Sequence, residues 1–150
     1  SILEAFENMK EIPIKYTCKG ANISPQLSFT DIPQAAKSLA LIVDDPDAPD
    51  PNAPKMTWVH WVVYNIPPNV LQFEEGIKKL PDGAIIGIND WKKPEWGGPC
   101  PPIGRHRYFF KLYALSEKLP KLNTPTKDEL IKAMENKIIS QAELIGTFQK

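Results

Sequence analysis

The stretch His106 to Ala114, which reads HRYFFKLYA, predicts a β-strand that carries a histidine and a tyrosine on one face. Side chains alternate between the two faces of a strand, so His106, Tyr108, Phe110 and Leu112 point to the same side. An imidazole and a phenol at the mouth of an apolar strand indicate a pocket.

A second stretch, Trp58 to Ile66 (WVHWVVYNI), contains His60, the other of the chain's two histidines. The same alternation predicts that His60 shares a face with Trp58, Val62 and Tyr64. Each histidine strand follows a long loop rich in proline. Loops longer than the usual length of about 4 to 6 residues are often functional.

The first long loop, 44 to 57, begins DDPDAP and places Asp45 and Asp47 on either side of a proline. The second, 88 to 105, contains GGPCPP, in which Gly97, Gly98 and Cys100 can offer backbone amides to an anion, whereas prolines cannot. We expect a pocket of histidine, aspartate and tyrosine walled by proline and tryptophan, with the aspartates orienting the histidines or keeping them protonated.

Taken singly, each of these residues has a simpler, structural interpretation. The histidine could belong to the core, the aspartate could stabilise a turn, and the tyrosine could simply suit a strand. Their combination favours a site. Two histidines and two aspartates could also ligate a metal, but no histidine has a short ligand spacing, so we expect no metal and no cofactor.

Composition narrows the class of partner. The chain has 150 residues, 18 basic and 18 acidic, so no global field attracts nucleic acid. The longest aliphatic run, 39 to 43, is far shorter than the roughly 20 residues of a transmembrane helix. We expect one domain, 1 to 150, in the cytoplasm, or in the periplasm or outside the cell if a signal peptide was removed.

The pattern of apolar residues predicts a mainly β (α+β) fold with antiparallel sheets. Strands are predicted over residues 12–16, 27–30, 38–43, 59–66, 84–88 and 108–114. Helical spacing of Leu130, Met134, Ile138 and Leu144 predicts one or two C-terminal helices, with a capping box at 126–129 and a stop at Gly146.

Cys18 and Cys100 are too few for a disulfide framework, which favours reduced thiols, with a single disulfide as the alternative. Cys100 is a nucleophile candidate, although a structural role is more common. Common catalytic motifs are absent from the sequence, so we expect no enzyme; a weak hydrolase is the less favoured reading.

Several segments together resemble the phosphatidylethanolamine-binding protein family, in its microbial branch of Raf kinase inhibitor-like proteins. In chain order, they are GANISP (20–25), DPDAP (45–49), WVHWVVYNIP (58–67), NDW (89–91) and GPCPPIGRHRY (98–108). Two positions depart from animal members: Val59 stands where many have a second histidine, and Cys100 stands where they have proline.

The resemblance implies an antiparallel β-sandwich with peripheral helices and a small anion pocket near one end. It places Asp45, Asp47, His60, Gly98, His106 and Tyr108 at the family's pocket positions, with Pro49 and Trp58 as walls. It also implies a cis bond at Ala48–Pro49 and a second at Met56–Thr57.

The function that we expect is binding without catalysis. The ligand would be a small anion, namely phosphate, a phosphorylated headgroup or a carboxylate, and protein partners could give a regulatory role. The alternative is a serine-protease or kinase inhibitor that acts through an exposed loop. We expect histidine protonation to strengthen anion binding, with the aspartates raising the histidine pKa above about 6.5.

Overall fold

The computed structural model describes residues 2–4 and 6–150, with side chains from Phe6 onward. Its elements in chain order are β1 Ile2–Glu4, β2 Lys10–Glu11, a 3-10 turn Ile14–Tyr16, β3 Leu27–Phe29, β4 Ser38–Ala48, β5 Met56–Ile66, β6 Gln72–Phe73, β7 Ile85–Ile86, β8 Arg105–Leu115, α1 Lys127–Met134 and β9 Ile138–Gln149. The fold is therefore mainly β, with one α-helix in this part of the chain.

The strands form two sheets. The larger sheet has the order β2-β9-β8-β4-β5-β7, and the smaller has the order β1-β3-β6. All pairs are antiparallel except β2 with β9, so the large sheet is mixed rather than purely antiparallel. The functional residues lie on the three adjacent long strands β4, β5 and β8.

Apolar side chains form two cores, one on each face of the large sheet. The first core joins Leu41 and Phe110 of the large sheet to Phe29 and Phe73 of the small sheet. The second core lies beneath α1. A sandwich of two sheets remains the interpretation that we favour for the first core.

The second core explains why the short helix forms. Leu130 and Met134, one turn apart on α1, are fully buried against side chains such as Ile42 and Val62. The predicted capping box is confirmed: the Thr126 hydroxyl accepts from the Glu129 amide, and the Glu129 carboxylate accepts from the Thr126 amide.

The prediction of a helix that ends the chain at Gly146 is wrong. Residues 138–149 form β9, which pairs with β8 along almost its whole length, with Gly146 opposite Tyr108. Leu144, Gly146 and Phe148 are buried with a period of two. The helical spacing of Ile138 and Leu144 was coincidental, and pairing with the long edge of β8 decides the conformation.

Other boundaries also differ. β4 extends to Ala48 and β5 begins at Met56, so the predicted loop 44–57 is reduced to residues 49–55. The segment 12–16, predicted as a strand, contains a 3-10 turn. Of the strand predicted over 84–88, only Ile85–Ile86 is a strand in the structure. Ala48–Pro49 is cis as predicted; Met56–Thr57 is not, so that prediction is wrong.

None of the helices in the described part of the chain has the length and apolar character needed to cross a membrane.

Candidate functional site

A β-bulge in β5 decides where His60 points. Val43 of β4 pairs with Trp61, yet the next residue, Asp44, pairs with Val59, so His60 is an extra residue on β5. An extra residue reverses the alternation of faces beyond it. His60 therefore lies on the Tyr108 side, while Val62 and Tyr64 enter the second core. The prediction that His60 shares a face with Val62 and Tyr64 is wrong.

The bulge brings His60 into a cavity of about 340 Å³ that residues of β4 and β8 also line. Asp45, His60, His106 and Tyr108 all line it, as predicted. Its remaining walls are Ala48, Pro49, Met56, Trp58, Trp91, Cys100, Pro101 and Pro102. A small group of polar side chains in an apolar surround is typical of a ligand site.

His106 and Asp45 form a buried pair within this cavity. His106 Nδ1 lies 2.6 Å from Asp45 Oδ2, and its Nε2 donates to the carbonyls of Ile103, at 2.9 Å, and Pro49, at 3.1 Å. Because every partner of the ring is an acceptor, Nε2 carries a proton and a second proton lies between Nδ1 and Asp45. Wherever that second proton resides, the pair has no net charge.

The second oxygen of Asp45 is also used, since Oδ1 accepts from the Asp47 amide at 2.8 Å. Burial raises the pKa of Asp45 above its ordinary value, and the hydrogen bond from His106 partly opposes that shift. Asp45 therefore orients His106, as predicted.

His60 is held in one tautomer. Its Nδ1 lies 2.6 Å from the Gly97 carbonyl, which can only accept, so Nδ1 is the donor. The Gly97 amide in turn donates to the His60 carbonyl at 3.0 Å. Burial lowers the pKa of His60 to about 4. The ring is therefore neutral near pH 7, and its Nε2, which has no partner among the described residues, is an acceptor.

That pKa contradicts our prediction that the aspartates raise the histidine pKa. For His60, removal from water outweighs both the hydrogen bond to the Gly97 carbonyl and the attraction of Asp44, which act in the opposite direction.

Tyr108 lies between the two histidines. Its ring is edge-on to His60, with centroids 5.2 Å apart, and stacked with His106 at 6.4 Å. Burial, with the charges of Asp45 and Asp47, holds the pKa of Tyr108 well above its usual range, so it is a neutral hydroxyl. The hydroxyl is buried and has no partner among the described residues.

Asp47 does not line the cavity. Its carboxylate accepts from the amide, Nε and Nη2 of Arg107, at 2.8 to 2.9 Å. These hydrogen bonds lower the pKa of Asp47. Asp47 thus neutralises Arg107 and positions Asp45 through its own amide, so its predicted place at the pocket is indirect.

Gly98 also lies outside this cavity and lines a second one. Its amide donates to Asn22 Oδ1 at 2.9 Å, and the Gly97 amide is bonded to His60. Of the three amides predicted as anion donors, only that of Cys100 has no partner among the described residues.

A disulfide between Cys18 and Cys100 anchors the segment that contains Gly97 and Gly98. The reduced-thiol prediction is wrong, and the alternative of a single bridge is confirmed. Cys100 is no longer a free nucleophile. The Cys18 amide donates to the Pro99 carbonyl beside the bridge, which adds to the hold on this wall.

Sequence reasoning missed Trp91 as a wall, although the segment 89–91 was among those that carried the resemblance. Its ring is edge-on to both Trp58 and His60, at 5.6 and 5.0 Å. Asn89 holds it there: Oδ1 accepts from the amides of Trp91 and Lys93, and Nδ2 donates to the Glu95 carbonyl. An asparagine two residues before an aromatic is a turn signal that could have found it.

No group of three or more histidine, cysteine, aspartate or glutamate side chains among the described residues could hold a metal ion.

Comparison with known proteins gives a consistent result. A sequence profile described as phosphatidylethanolamine-binding protein matches residues 3–149. A UPF0098 protein of Chlamydia pneumoniae is 49% identical over 97% of this chain and 95% of its own length. A UPF0098 protein of Methanothermobacter thermautotrophicus is 46% identical over 97% of this chain and 95% of its own length.

Solved structures agree. A phosphatidylethanolamine-binding protein homologue of Chlamydia trachomatis superposes with a TM-score of 0.92 at 43% identity, covering 99% of this chain and 96% of the other. YbcL of E. coli, described as a new member of the mammalian PEBP family, superposes with a TM-score of 0.88 at 30% identity. The match covers 100% of this chain and 98% of the other. The chain therefore belongs to the phosphatidylethanolamine-binding protein family.

Proposed function

We propose that this protein binds a small oxyanion, a phosphate or the phosphorylated headgroup of a larger molecule, without transforming it. The observation that carries the proposal is the Tyr108 hydroxyl, buried without a partner beside the unpaired Nε2 of His60 in one cavity. A buried polar group without a partner costs about 1 to 3 kcal/mol, which a ligand that pairs with it recovers.

The charges of the site select the form of the anion. His106 is paired with Asp45 and Arg107 with Asp47, so neither offers a free positive charge. Neutral His60 presents an acceptor and Tyr108 a hydroxyl. An oxyanion that keeps one proton fits both, because its OH donates to His60 while another oxygen accepts from Tyr108.

The family's name supports a phosphorylated ligand, since the phosphate oxygens of phosphatidylethanolamine can accept from Tyr108. As a phosphodiester, that lipid has no OH to donate to His60, so the site favours a phosphomonoester such as phosphoethanolamine. The cavity walls add apolar surface from Met56, Trp58 and Trp91 for the rest of the molecule. A free phosphate and a headgroup share this chemistry, and titration with each separates them.

Binding without catalysis is also supported by the side chains at the cavity. The Cys100 sulfur is in a disulfide, Tyr108 remains protonated at ordinary pH, and His60 with a pKa of about 4 is a weak base. A hydrolase needs an activated nucleophile as well as a base. Assays with phosphomonoesters and activated esters should show no turnover above buffer.

The decisive experiment is calorimetric titration of inorganic phosphate and of phosphoethanolamine into the protein and its Tyr108→Phe variant. Loss of one hydrogen bond to a charged ligand should weaken binding about 10- to 150-fold. Tyr113→Phe is the matched control, because Tyr113 lies on the same strand but faces away from the cavity. Equal affinity in wild type and Tyr108→Phe would overturn the proposal.

Inhibition of a protease or kinase through an exposed loop, and a location in the cytoplasm, stay predictions. The disulfide fits an oxidising compartment more readily than the cytoplasm of most organisms.

A further inference from the structure

A second cavity, of about 260 Å³, is lined in part by the backbone of Gly97 and Gly98. Trp91 and Cys100 line both cavities. The rest of its lining differs and consists of Cys18, Asn22, Asn89, Lys93, Glu95, Trp96, Gly97 and Gly98. None of the polar side chains of the first cavity takes part.

Hydrogen-bond donors predominate among its unpaired groups. Trp96 Nε1 is buried and has no partner among the described residues. An indole N–H can only donate, so the missing partner is an acceptor. The ring itself is fixed, since it stacks with Phe110 at 6.0 Å and lies edge-on to Trp61 at 5.5 Å.

Asn22 supplies a second donor. Its Oδ1 accepts from the Gly98 amide at 2.9 Å, which fixes the orientation of the side-chain amide. Nδ2 therefore has no role in that bond and no partner among the described residues, and it can only donate. Lys93, exposed at the rim, adds an ammonium group, and Glu95 beside it adds one carboxylate.

We propose that this second cavity binds a small carboxylate with an apolar body. The indole, the amide and the ammonium donate to the carboxylate oxygens, while Trp91 and the disulfide contact the apolar part. Glu95 disfavours a dianion such as phosphate, because its like charge lies at the same rim. The site is separate from the proposed phosphate site and does not depend on it.

The test uses benzoate as the probe and the oxidised protein, with the first cavity disabled by Tyr108→Phe. The chain has four tryptophans, so the indole N–H groups give four resolvable signals in a nitrogen–proton NMR spectrum. We expect benzoate to shift the Trp96 signal saturably, and the Trp96→Phe variant, which keeps the stacked ring, to bind about 10- to 150-fold more weakly.

Two variants of exposed residues make the test independent of folding. Lys93→Gln should weaken benzoate binding roughly 2- to 5-fold, and Glu95→Gln should strengthen it by a similar factor. Lack of a saturable shift at Trp96, a shift at Trp58 that exceeds it, or changes of the same sign in both charge variants would overturn the proposal.

Discussion

Replacing His60 with glutamine should flatten the dependence of stability on pH in the mildly acidic range. Burial lowers the pKa of His60 from 6.5 to about 4 in the folded protein. Between these values the unfolded chain binds a proton that the folded protein does not, so the free energy of unfolding falls as the pH falls. Above pH 6.5 both states are neutral and this contribution is constant.

The size of the effect follows from the pKa difference. Each unit of pKa corresponds to about 1.4 kcal/mol, so the wild type should lose about 2 kcal/mol between pH 6.5 and pH 5 because of His60. The full loss, reached below pH 4, is about 3 to 4 kcal/mol. Glutamine retains a side-chain N–H for the Gly97 carbonyl but does not titrate.

Urea denaturation of both proteins at pH 7.5 and pH 5 measures this difference. His106 is present in both proteins, so its contribution cancels when their pH dependences are compared. Asp47, whose pKa lies below its ordinary value, loses its stabilising charge only at more acidic pH. The reasoning is refuted if His60→Gln loses as much stability as the wild type between the two pH values.

Three further predictions concern the ligand and the cavity walls. The affinity for phosphoethanolamine should fall as the pH rises through the second pKa of a phosphate ester, about 6, because only the monoanion keeps an OH that donates to His60; calorimetry that shows constant affinity from pH 5 to 8 contradicts this. The Cys18→Ser, Cys100→Ser double variant should lose about 2 to 5 kcal/mol of stability in urea denaturation, since the bridge closes a loop of 82 residues. Asn89→Ala, which removes three hydrogen bonds around Trp91, should cost about 1 to 3 kcal/mol and weaken phosphate binding, whereas Asn52→Ala at an exposed turn should change neither.

Local alternation was enough to predict part of the site from sequence. His106, Tyr108, Phe110 and Leu112 share a buried face of β8 because a regular strand has a period of two and nothing interrupts it. The capping box of α1 could also be predicted from sequence, since its two hydrogen bonds join residues only three positions apart. The family resemblance supplied what alternation could not: Pro49 and Trp58 as walls of the cavity and the cis bond at Ala48–Pro49. It also placed Asp47 and Gly98 at the pocket, and neither lines it.

The rest depended on contacts between distant parts of the chain. The bulge at His60 arises from the pairing of β5 with β4. It reverses the alternation of side chains between the two faces of β5, so the faces predicted from the sequence of β5 alone are wrong. Residues 138–149 become a strand because β8 offers them an edge. Asp45 and Asp47, two residues apart and chemically identical, differ because one meets His106 and the other Arg107.

The charge state of His60 has the same origin. The sequence shows an imidazole near aspartates, and that composition alone favours a raised pKa. The tertiary structure instead surrounds the ring with Trp91 and Tyr108, and the loss of water lowers its pKa to about 4, although the bond to the Gly97 carbonyl acts in the opposite direction. Alternation and capping are local properties of the chain, whereas register, burial and partner choice are set only when the strands meet.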